Sequence, residues 1–525
     1  MFDFTGKEVL GDILTRAVVE CPQHIAIVYQ DQKIKYSEFA ARVEQAAHGL
    51  IAAGIRRGDT IGLILPTRPE FMYCWFAASR IGAITVALNM RYLAPELQYT
   101  LRQSQAKMVI TVAEHGGVNR RPLLAEVQKI VPTVESVYYV DVPTGEYSFQ
   151  SLLGASVAAE AAFNDFPVKP ADGSLIIYTS GSTGKQKAAL LTHKSILSMA
   201  RGLRQAMRVT QEDRVINVLP LDHVGGATIL GITMLSSFAT LVLADSFRPD
   251  EFITLAGREQ VTVMGGVPTM FVMVLNSLTL QKHSLSSLRL VVYGGAPASS
   301  QVLKAIKEKL GCQVMGCYGL TEVSGFCTTT DLADSMEAVL NTVGRPIQGA
   351  EVRIVGKDGK ALPQGQPGEV QIRGNLVIDG YYRMPEETRE AFSEEWFKTG
   401  DVGVIDAEGN LSIVGRIKEM FITGGYNVYP VEVEECLAQH PGVAMAAVVG
   451  VEDLVFGEVG YAFVVPKANV QINQQELREY CLSRLADYKV PRYFKMKSSL
   501  PLTPLGKVQK LALKIAAKEL LETAN

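Results

Sequence analysis

The chain has 525 residues, beyond the size at which one hydrophobic core keeps growing, so roughly two to four structural units are expected. Hydrophobic residues make up 47 % and charged residues 20 % of it, which excludes a disordered chain. A formal net charge of −3 supplies no basic field, so a nucleic-acid partner is not expected. The seven Cys contain no Cys-x-x-Cys pair, and Cys312 and Cys317 are not at zinc-finger spacing. The seven His form no His-Glu-x-x-His pair. Reduced thiols, no structural metal and a cytoplasmic location are the expectation. The N-terminus is acidic and lacks a long apolar run, so it does not read as a secretory signal.

In chain order, short β-branched runs alternate with amphipathic ones. Ile25 to Tyr29 reads as a strand, Tyr36 to Ala53 as a helix, Thr60 to Leu65 as a strand, Pro69 to Ile81 as a helix and Ala83 to Asn89 as a strand. Leu124 to Val131 and Val134 to Val140 repeat the alternation. Such alternation implies a parallel sheet covered on both faces. Val224 to Ala244 runs 21 residues without a charge, long enough to span a bilayer. Its Gly, Ser and Thr content favours a buried helix leading into a core strand, Thr240 to Ala244, so no integral membrane segment is expected. After about Asn341 strands shorten and Gly, Pro and Asp turns multiply, which predicts a β-rich unit. From about Lys418 the mixed pattern returns, with a helix over Val433 to Ala438, strands over Met445 to Val451 and Tyr461 to Val465, and a helix over Glu476 to Leu485. The predicted boundary separates residues 1–417 from a smaller unit, 418–525.

The most informative segment follows the apolar strand that begins at Leu175: Thr179, Ser180, Gly181, Ser182, Thr183, Gly184, Lys185, Gln186, Lys187. Small residues let backbone N–H groups approach phosphate oxygens, hydroxyls add donors, and Lys185 and Lys187 offset charge. The spacing is not that of a Walker A loop, since Gly181 to Gly184 is too short and Gln186 follows the first Lys.

Six motifs occur in one order: Tyr-Thr-Ser-Gly-Ser-Thr-Gly-Lys-Gln-Lys (178–187), Tyr-Gly-Leu-Thr-Glu (318–322), Lys-Thr-Gly-Asp (398–401), Gly-Arg-Ile-Lys-Glu (415–419), Gly-Gly-Tyr-Asn-Val-Tyr-Pro-Val-Glu-Val-Glu (424–434) and Pro-Leu-Gly-Lys (504–507). Over nearly the whole chain the sequence resembles the adenylate-forming superfamily, which comprises acyl-CoA synthetases, adenylation domains of peptide synthetases and firefly-type luciferases. The phosphate loop departs from the family where Gln186 replaces Pro and Ala188 replaces Gly, a change expected to alter loop stiffness and to leave activity intact.

The resemblance implies an α/β fold: a large N-terminal domain of parallel-rich sheets with helices plus a small β-rich subdomain, and a mobile α+β C-terminal domain. It implies an enzyme that uses ATP and Mg²⁺ to convert a carboxylic acid to an acyl-adenylate and pyrophosphate, then passes the acyl group to coenzyme A. Lys507 matches the adenylation lysine. Glu322 matches the Mg²⁺ carboxylate, which one Glu can supply because Mg²⁺ takes its other oxygens from phosphate and water. Thr321 is expected on the α-phosphate, and Thr183 on the leaving phosphates and the metal. Asp401 and Arg416 are expected on the ribose. Gly294, Gly295, Ala296 and Pro297, after the strand Leu288 to Tyr293, resemble the adenine turn, with Tyr318 on the purine face and Gly319 beside it. Lys418 sits at the hinge. Gly424, Gly425 and Phe456 resemble the thiol channel, with Lys489 and Arg492 near CoA phosphates.

Pro220 to His223 resembles the motif whose His borders the acyl pocket. In peptide-synthetase domains an Asp lies just past that position to bind an amino group; here it is Val224. An unpaired buried ammonium would be costly there, which points to a plain carboxylic acid. Gly202, Gly225, Gly226, Gly265, Gly266, Gly294, Gly319, Ser324 and Gly325 are small, and are expected to leave room for a medium or long fatty acid or a bulky aryl acid. A carrier-protein phosphopantetheine is the alternative acceptor. Luciferase-type oxygen chemistry would share the same motifs, and assembly into a homodimer is left open by the sequence.

Overall fold

The computed structural model describes residues 6–155, 167–179, 186–296, 298–502 and 508–522. Among these, four sheets carry the fold, with a small two-stranded ribbon besides. The largest has nine strands, and its centre is parallel: Gln313–Leu320, Leu290–Tyr293, Val263–Gly266, Arg214–Asn217, Thr240–Leu243 and Ile25–Tyr29 follow one another in that order. A six-stranded sheet places Gly173–Thr179 beside Ile84–Ala87, then Thr60–Ile64, Ala106–Thr111 and Ser136–Tyr139, all parallel, with Lys187–Thr192 antiparallel at its edge. Central strands such as Thr60–Ile64 and Ile84–Ala87 are buried along their whole length, as parallel strands covered on both faces must be.

The helices start where local chemistry lets them. Thr192 and Ser195 exchange side-chain and backbone hydrogen bonds of 3.0 and 3.1 Å at the start of the helix His193–Ala206, satisfying donors the helix leaves open. Pro69 opens the helix Pro69–Arg80, where its missing N–H costs nothing. From that helix the buried Trp75 donates to Ser174 Oγ at 2.9 Å, so the helix pins the strand that ends at Thr179. The charge-free stretch is a buried helix in π register, Gly225–Ile232, continued by Thr233–Leu235 and the core strand Thr240–Leu243. Among the described residues no helix is long and apolar enough to cross a membrane.

The β-rich unit is an antiparallel sheet of Ala350–Val355, Gly368–Gly374, Trp396–Ile405, Phe392–Ser393 and Leu411–Arg416. The last sheet pairs Val443–Asp453 with Gly457–Pro466 and carries the hairpin Phe421–Thr423/Tyr426–Val428 and the parallel strand Tyr493–Met496. Helices Pro430–Ala438 and Gln474–Leu482 cover one face of it, and Lys510–Glu522 the other.

One end of the large sheet is locked by charge. Asp213, 4 % exposed, accepts from Arg289 Nε and Nη2 at 2.7 and 2.8 Å, from the Thr262 hydroxyl at 2.7 Å and from the Thr210 N–H at 2.9 Å. These groups precede three adjacent parallel strands and tie their N-terminal ends together. Burial alone would raise the Asp213 pKa, but the bonds from Arg289, Thr210 and Thr262 outweigh it and hold it below the ordinary value. A depressed folded pKa means the stabilisation is complete above the ordinary Asp value of about 3.9 and is lost as pH falls through the folded value. Asp213→Asn is therefore expected to cost about 2 kcal/mol at neutral pH, read as a lower urea midpoint, and the gap to the parent should narrow below about pH 4.

Candidate active site

With their N-terminal ends tied, the parallel strands carry their loops at the opposite end, where open α/β sheets place ligands. Thr179, Pro220–His223, Gly266, Gly294–Ala296 and Gly319–Glu322 all lie at or just past C-terminal strand ends. Glu322 lies in the one-turn segment Thr321–Val323 and is 8 % exposed, with Thr321 7 % exposed beside it. Its Oε1 accepts from the Tyr381 hydroxyl at 2.9 Å and the Thr179 hydroxyl at 3.3 Å. Burial pushes its carboxyl above the ordinary value. Tyr381, the local backbone, Thr179 and the charge of Lys187 pull it back without cancelling the shift. The Lys187 ammonium stands over the Tyr381 ring, 5.0 Å from its centroid. Lys187 faces Thr179 across the antiparallel pair, so one strand register brings both to Glu322.

Tyr381 carries no motif in the sequence. It arrives because the segment around it pairs with the phosphate-loop strand: Ala189 bridges Tyr381, and the Tyr382 N–H donates to Ala188 O at 2.7 Å. Gln186, at the family's Pro position, is held by two rings. Its carbonyl accepts from Tyr99 at 2.8 Å and its amide donates to Tyr92 at 3.0 Å, so side-chain bonds supply restraint that a Pro ring would otherwise give.

A second carboxylate joins two sheets. Asp401, 5 % exposed, accepts from the Tyr318 hydroxyl at 2.6 Å and from Arg416 Nε at 2.9 Å. Asp401 and Arg416 are cross-strand partners in the β-rich sheet, and Tyr318 comes from the large sheet. Burial and then the Asp401 charge push the Tyr318 phenol far above its ordinary pKa, so it stays a donor. A carboxylate offers about four acceptor positions, which leaves capacity for two ribose hydroxyls.

His223 Nδ1 accepts from the Gly225 N–H at 3.1 Å, which puts the neutral ring's proton on Nε2. The Asp222 carboxylate turns to Asn89, whose amide donates to it at 2.7 Å. Val224 is 3 % exposed. Ser324 is fully buried at φ 60°. Gly295 has φ 77° and is exposed with Ala296, as a turn that meets a ligand requires.

The glycines do not hollow out a pocket as expected from sequence. A Cβ on Gly202 would stand 2.6 Å from Gln348 O, and one on Gly226 2.5 Å from Leu219 O. On Gly319 it would overlap the Gly325 carbonyl. Gly265 is filled by Leu230 and Gly294 by Phe326, at 2.5 and 2.6 Å, and Gly266 is met by Met270. These residues are small because main chain and side chains press against them, and they carry no information on acyl size.

In the C-terminal sheet the Gly424 N–H donates to Phe456 O at 2.8 Å, with φ 56° at Gly424 and 90° at Gly425. Arg492 lies 5.9 Å from the Phe456 ring and pairs with Asp453 at 2.6 Å. Lys489 pairs with Glu432 at 2.6 Å, and the neighbouring Tyr488 stacks on Tyr426. The expected channel residues thus cluster, but both cations already have carboxylate partners. Lys418 is exposed in the turn that follows Leu411–Arg416. Ser180, Gly181, Ser182, Thr183, Gly184, Lys185, Pro297 and Lys507 lie outside the described residues.

The model of the AMP-binding enzyme family matches residues 14–382, and that of the AMP-binding enzyme C-terminal domain matches 432–507. Feruloyl-CoA synthase of an Amycolatopsis species is 33 % identical over 501 residues, 95 % of this chain and 97 % of that protein. The long-chain-fatty-acid–CoA ligase FadD13 of Mycobacterium tuberculosis is 32 % identical over 490 residues, 92 % and 93 % of the two chains. The crystal structure of ATP-bound MatB from Rhodopseudomonas palustris superposes with a TM-score of 0.89 at 30 % identity, covering 97 % of this chain and 99 % of MatB. The chain belongs to the AMP-binding enzymes, the adenylate-forming superfamily. Within it, this is an AMP-forming acid–CoA ligase.

Glu322→Gln tests the buried carboxylate. A raised folded pKa means the ionised form is disfavoured by the fold, so its cost grows as pH rises from the ordinary Glu value through the folded one. The variant is expected to melt no lower than the parent at neutral pH while losing about 100-fold or more in kcat, measured by thermal unfolding and AMP production.

Proposed function

We propose that the protein activates an apolar carboxylic acid, a fatty or bulky aryl acid, with ATP and Mg²⁺, and transfers the acyl group to coenzyme A. The observation that carries this reading is the pair of buried carboxylates, Glu322 just past the strand Gln313–Leu320 and Asp401 bonded to Tyr318 of that strand, with Lys187 beside the first.

The described residues include no group of three or more His, Cys, Asp or Glu suited to hold a metal by themselves. A single buried carboxylate with hydroxyl neighbours fits Mg²⁺, which favours one or two carboxylates plus phosphate oxygens. Glu322 would hold it, with Thr183 a further candidate. When bound, the ion supplies positive charge against the triphosphate.

Asp401 and Arg416 orient the ribose. Tyr318 lies against the base near the Gly295 turn, and Thr179, Thr321 and Lys187 contact the phosphates. The acid's carboxylate oxygen attacks the α-phosphorus and pyrophosphate leaves, with Lys507 bridging the two reacting groups. The thiol of CoA then attacks the acyl carbon and AMP leaves. Val224 beside His223 is apolar and buried where a peptide-synthetase domain carries an Asp, and the Asp222 carboxylate is turned to Asn89, which disfavours an α-ammonium group. The names of the relatives, feruloyl-CoA synthase and long-chain-fatty-acid–CoA ligase, agree with an apolar acid. Residues 418–525 form the unit that swings about Lys418. One orientation presents Lys507, and the other presents Gly424, Gly425 and Phe456 to the pantetheine arm.

Pyrophosphate release across a panel of carboxylic acids, with and without CoA, tests the reading. Release with fatty or aryl acids, raised by CoA and reduced about 100-fold or more in Lys507→Ala, is expected. Release indifferent to CoA would transfer the reading to a carrier-protein acceptor, and release only with amino acids would overturn it.

A further inference from the structure

The described residues on either side of 503–507 face each other. Leu502 bridges Val508, the Gln509 N–H donates to Pro501 O at 2.9 Å, and the Gln509 amide donates to Leu502 O at 2.8 Å. This short stem closes the ends of the segment that carries Lys507. The next residue, Lys510, opens the helix Lys510–Glu522, and its ammonium sits between two carboxylates. It lies 2.6 Å from Glu419 Oε2 and 3.0 Å from Glu434 Oε1. All three side chains are partly buried, at 21, 34 and 16 % exposure for Lys510, Glu419 and Glu434. Glu434 is fixed in turn by the Val448 N–H at 2.7 Å.

Glu419 is one residue past the proposed hinge. Its N–H and that of Met420 donate to Arg416 O at 3.1 and 3.0 Å, and Arg416 pairs with Asp401. Short polar contacts therefore run from the nucleotide-side carboxylate Asp401 through Arg416 and Glu419 to Lys510 and the stem.

We propose that Lys510 is a positioning residue for adenylation: its link to Glu419 sets the stem that carries Lys507 against the hinge. The inference rests on the reading of Lys507 as the adenylation lysine. A charge held an ångström out of place costs roughly 100-fold in rate, so a lysine that bridges reacting groups needs its flanking chain anchored. Two carboxylates around one ammonium leave the cluster one negative charge in excess. Burial pushes the Glu434 carboxyl above its ordinary value, with Lys510 opposing. A cluster built for stability alone would do better with one acid, and the second acid is the one that reaches the hinge.

Glu419→Gln is the discriminating variant, because it severs the hinge arm and leaves Lys510 and Glu434 as a balanced pair. Lys510→Arg is the conservative control, and Lys507→Ala the reference. Three quantities are read: acid-dependent ATP–pyrophosphate exchange, CoA thioester formation from supplied acyl-adenylate, and the thermal unfolding midpoint. Glu419→Gln is expected to lower the exchange kcat by about tenfold or more. Its KM for ATP, its thioester formation and its unfolding midpoint should stay close to the parent's, and Lys510→Arg should retain exchange. Unchanged exchange in Glu419→Gln, or both half-reactions falling together with the midpoint, overturns the proposal. Exchange lost in Lys507→Ala but kept in Glu419→Gln removes this inference alone, whereas exchange kept in Lys507→Ala removes the reading beneath it.

Discussion

A carboxylate taken out of water without a cation in hydrogen-bond contact is a costly group to keep, and the site is organised around one. The Glu322 side chain is held by neutral donors, the Tyr381 and Thr179 hydroxyls and the local backbone. Its charge is therefore under-compensated, and burial raises its pKa. The two hydroxyls come from distant parts of the chain, one at the end of a parallel strand and one in a loop paired to the phosphate-loop strand. Assembling Glu322's surroundings is thus the same event as docking the two large sheets on each other. Asp401 does the corresponding work for the β-rich sheet, since Tyr318 and Arg416 reach it from different sheets.

The rest of the N-terminal fold holds those positions. Asp213 and Arg289 clamp one end of the parallel strands, which leaves the other end to carry loops of varied conformation. Trp75 fixes the strand that leads to Thr179. Gly202, Gly226 and Gly319 bring main chain close to main chain, and Gly265, Gly266 and Gly294 are met by side chains. The seam around Glu322 is therefore tightly packed, with Leu230 and Phe326 filling the space over Gly265 and Gly294.

Much of this was legible in the sequence, and what was not has a physical reason. The alternation from Ile25 to Val140 marked parallel strands because covered strands must be apolar and their crossovers amphipathic, but it did not show that Ile25–Tyr29 joins the nine-stranded sheet and the later strands the six-stranded one. The charge-free run from Val224 resolved as a buried helix and strand because its Gly, Ser and Thr pack and bond locally. Asp401 and Arg416, from two of the ordered motifs, are cross-strand partners, and Gly424 bonds to Phe456, which the resemblance put beside it. Tyr381 was invisible, because its role comes from strand pairing across some two hundred residues of chain, and a lone Tyr gives no local signal. The glycines misled, since a missing side chain in a sequence means either space or contact, and only coordinates tell which. Lys510 carried no signal in the sequence, because Glu419 and Glu434 reach it only through the fold.

The most direct test follows oxygen. The acid that releases most pyrophosphate is prepared with ¹⁸O in its carboxylate and turned over with ATP and CoA. Attack of that oxygen on the α-phosphorus leaves one ¹⁸O in AMP when the thioester forms, and mass spectrometry of AMP should find it. Label in inorganic phosphate, or AMP free of label, would mean that activation does not pass through an acyl-adenylate and would contradict the account.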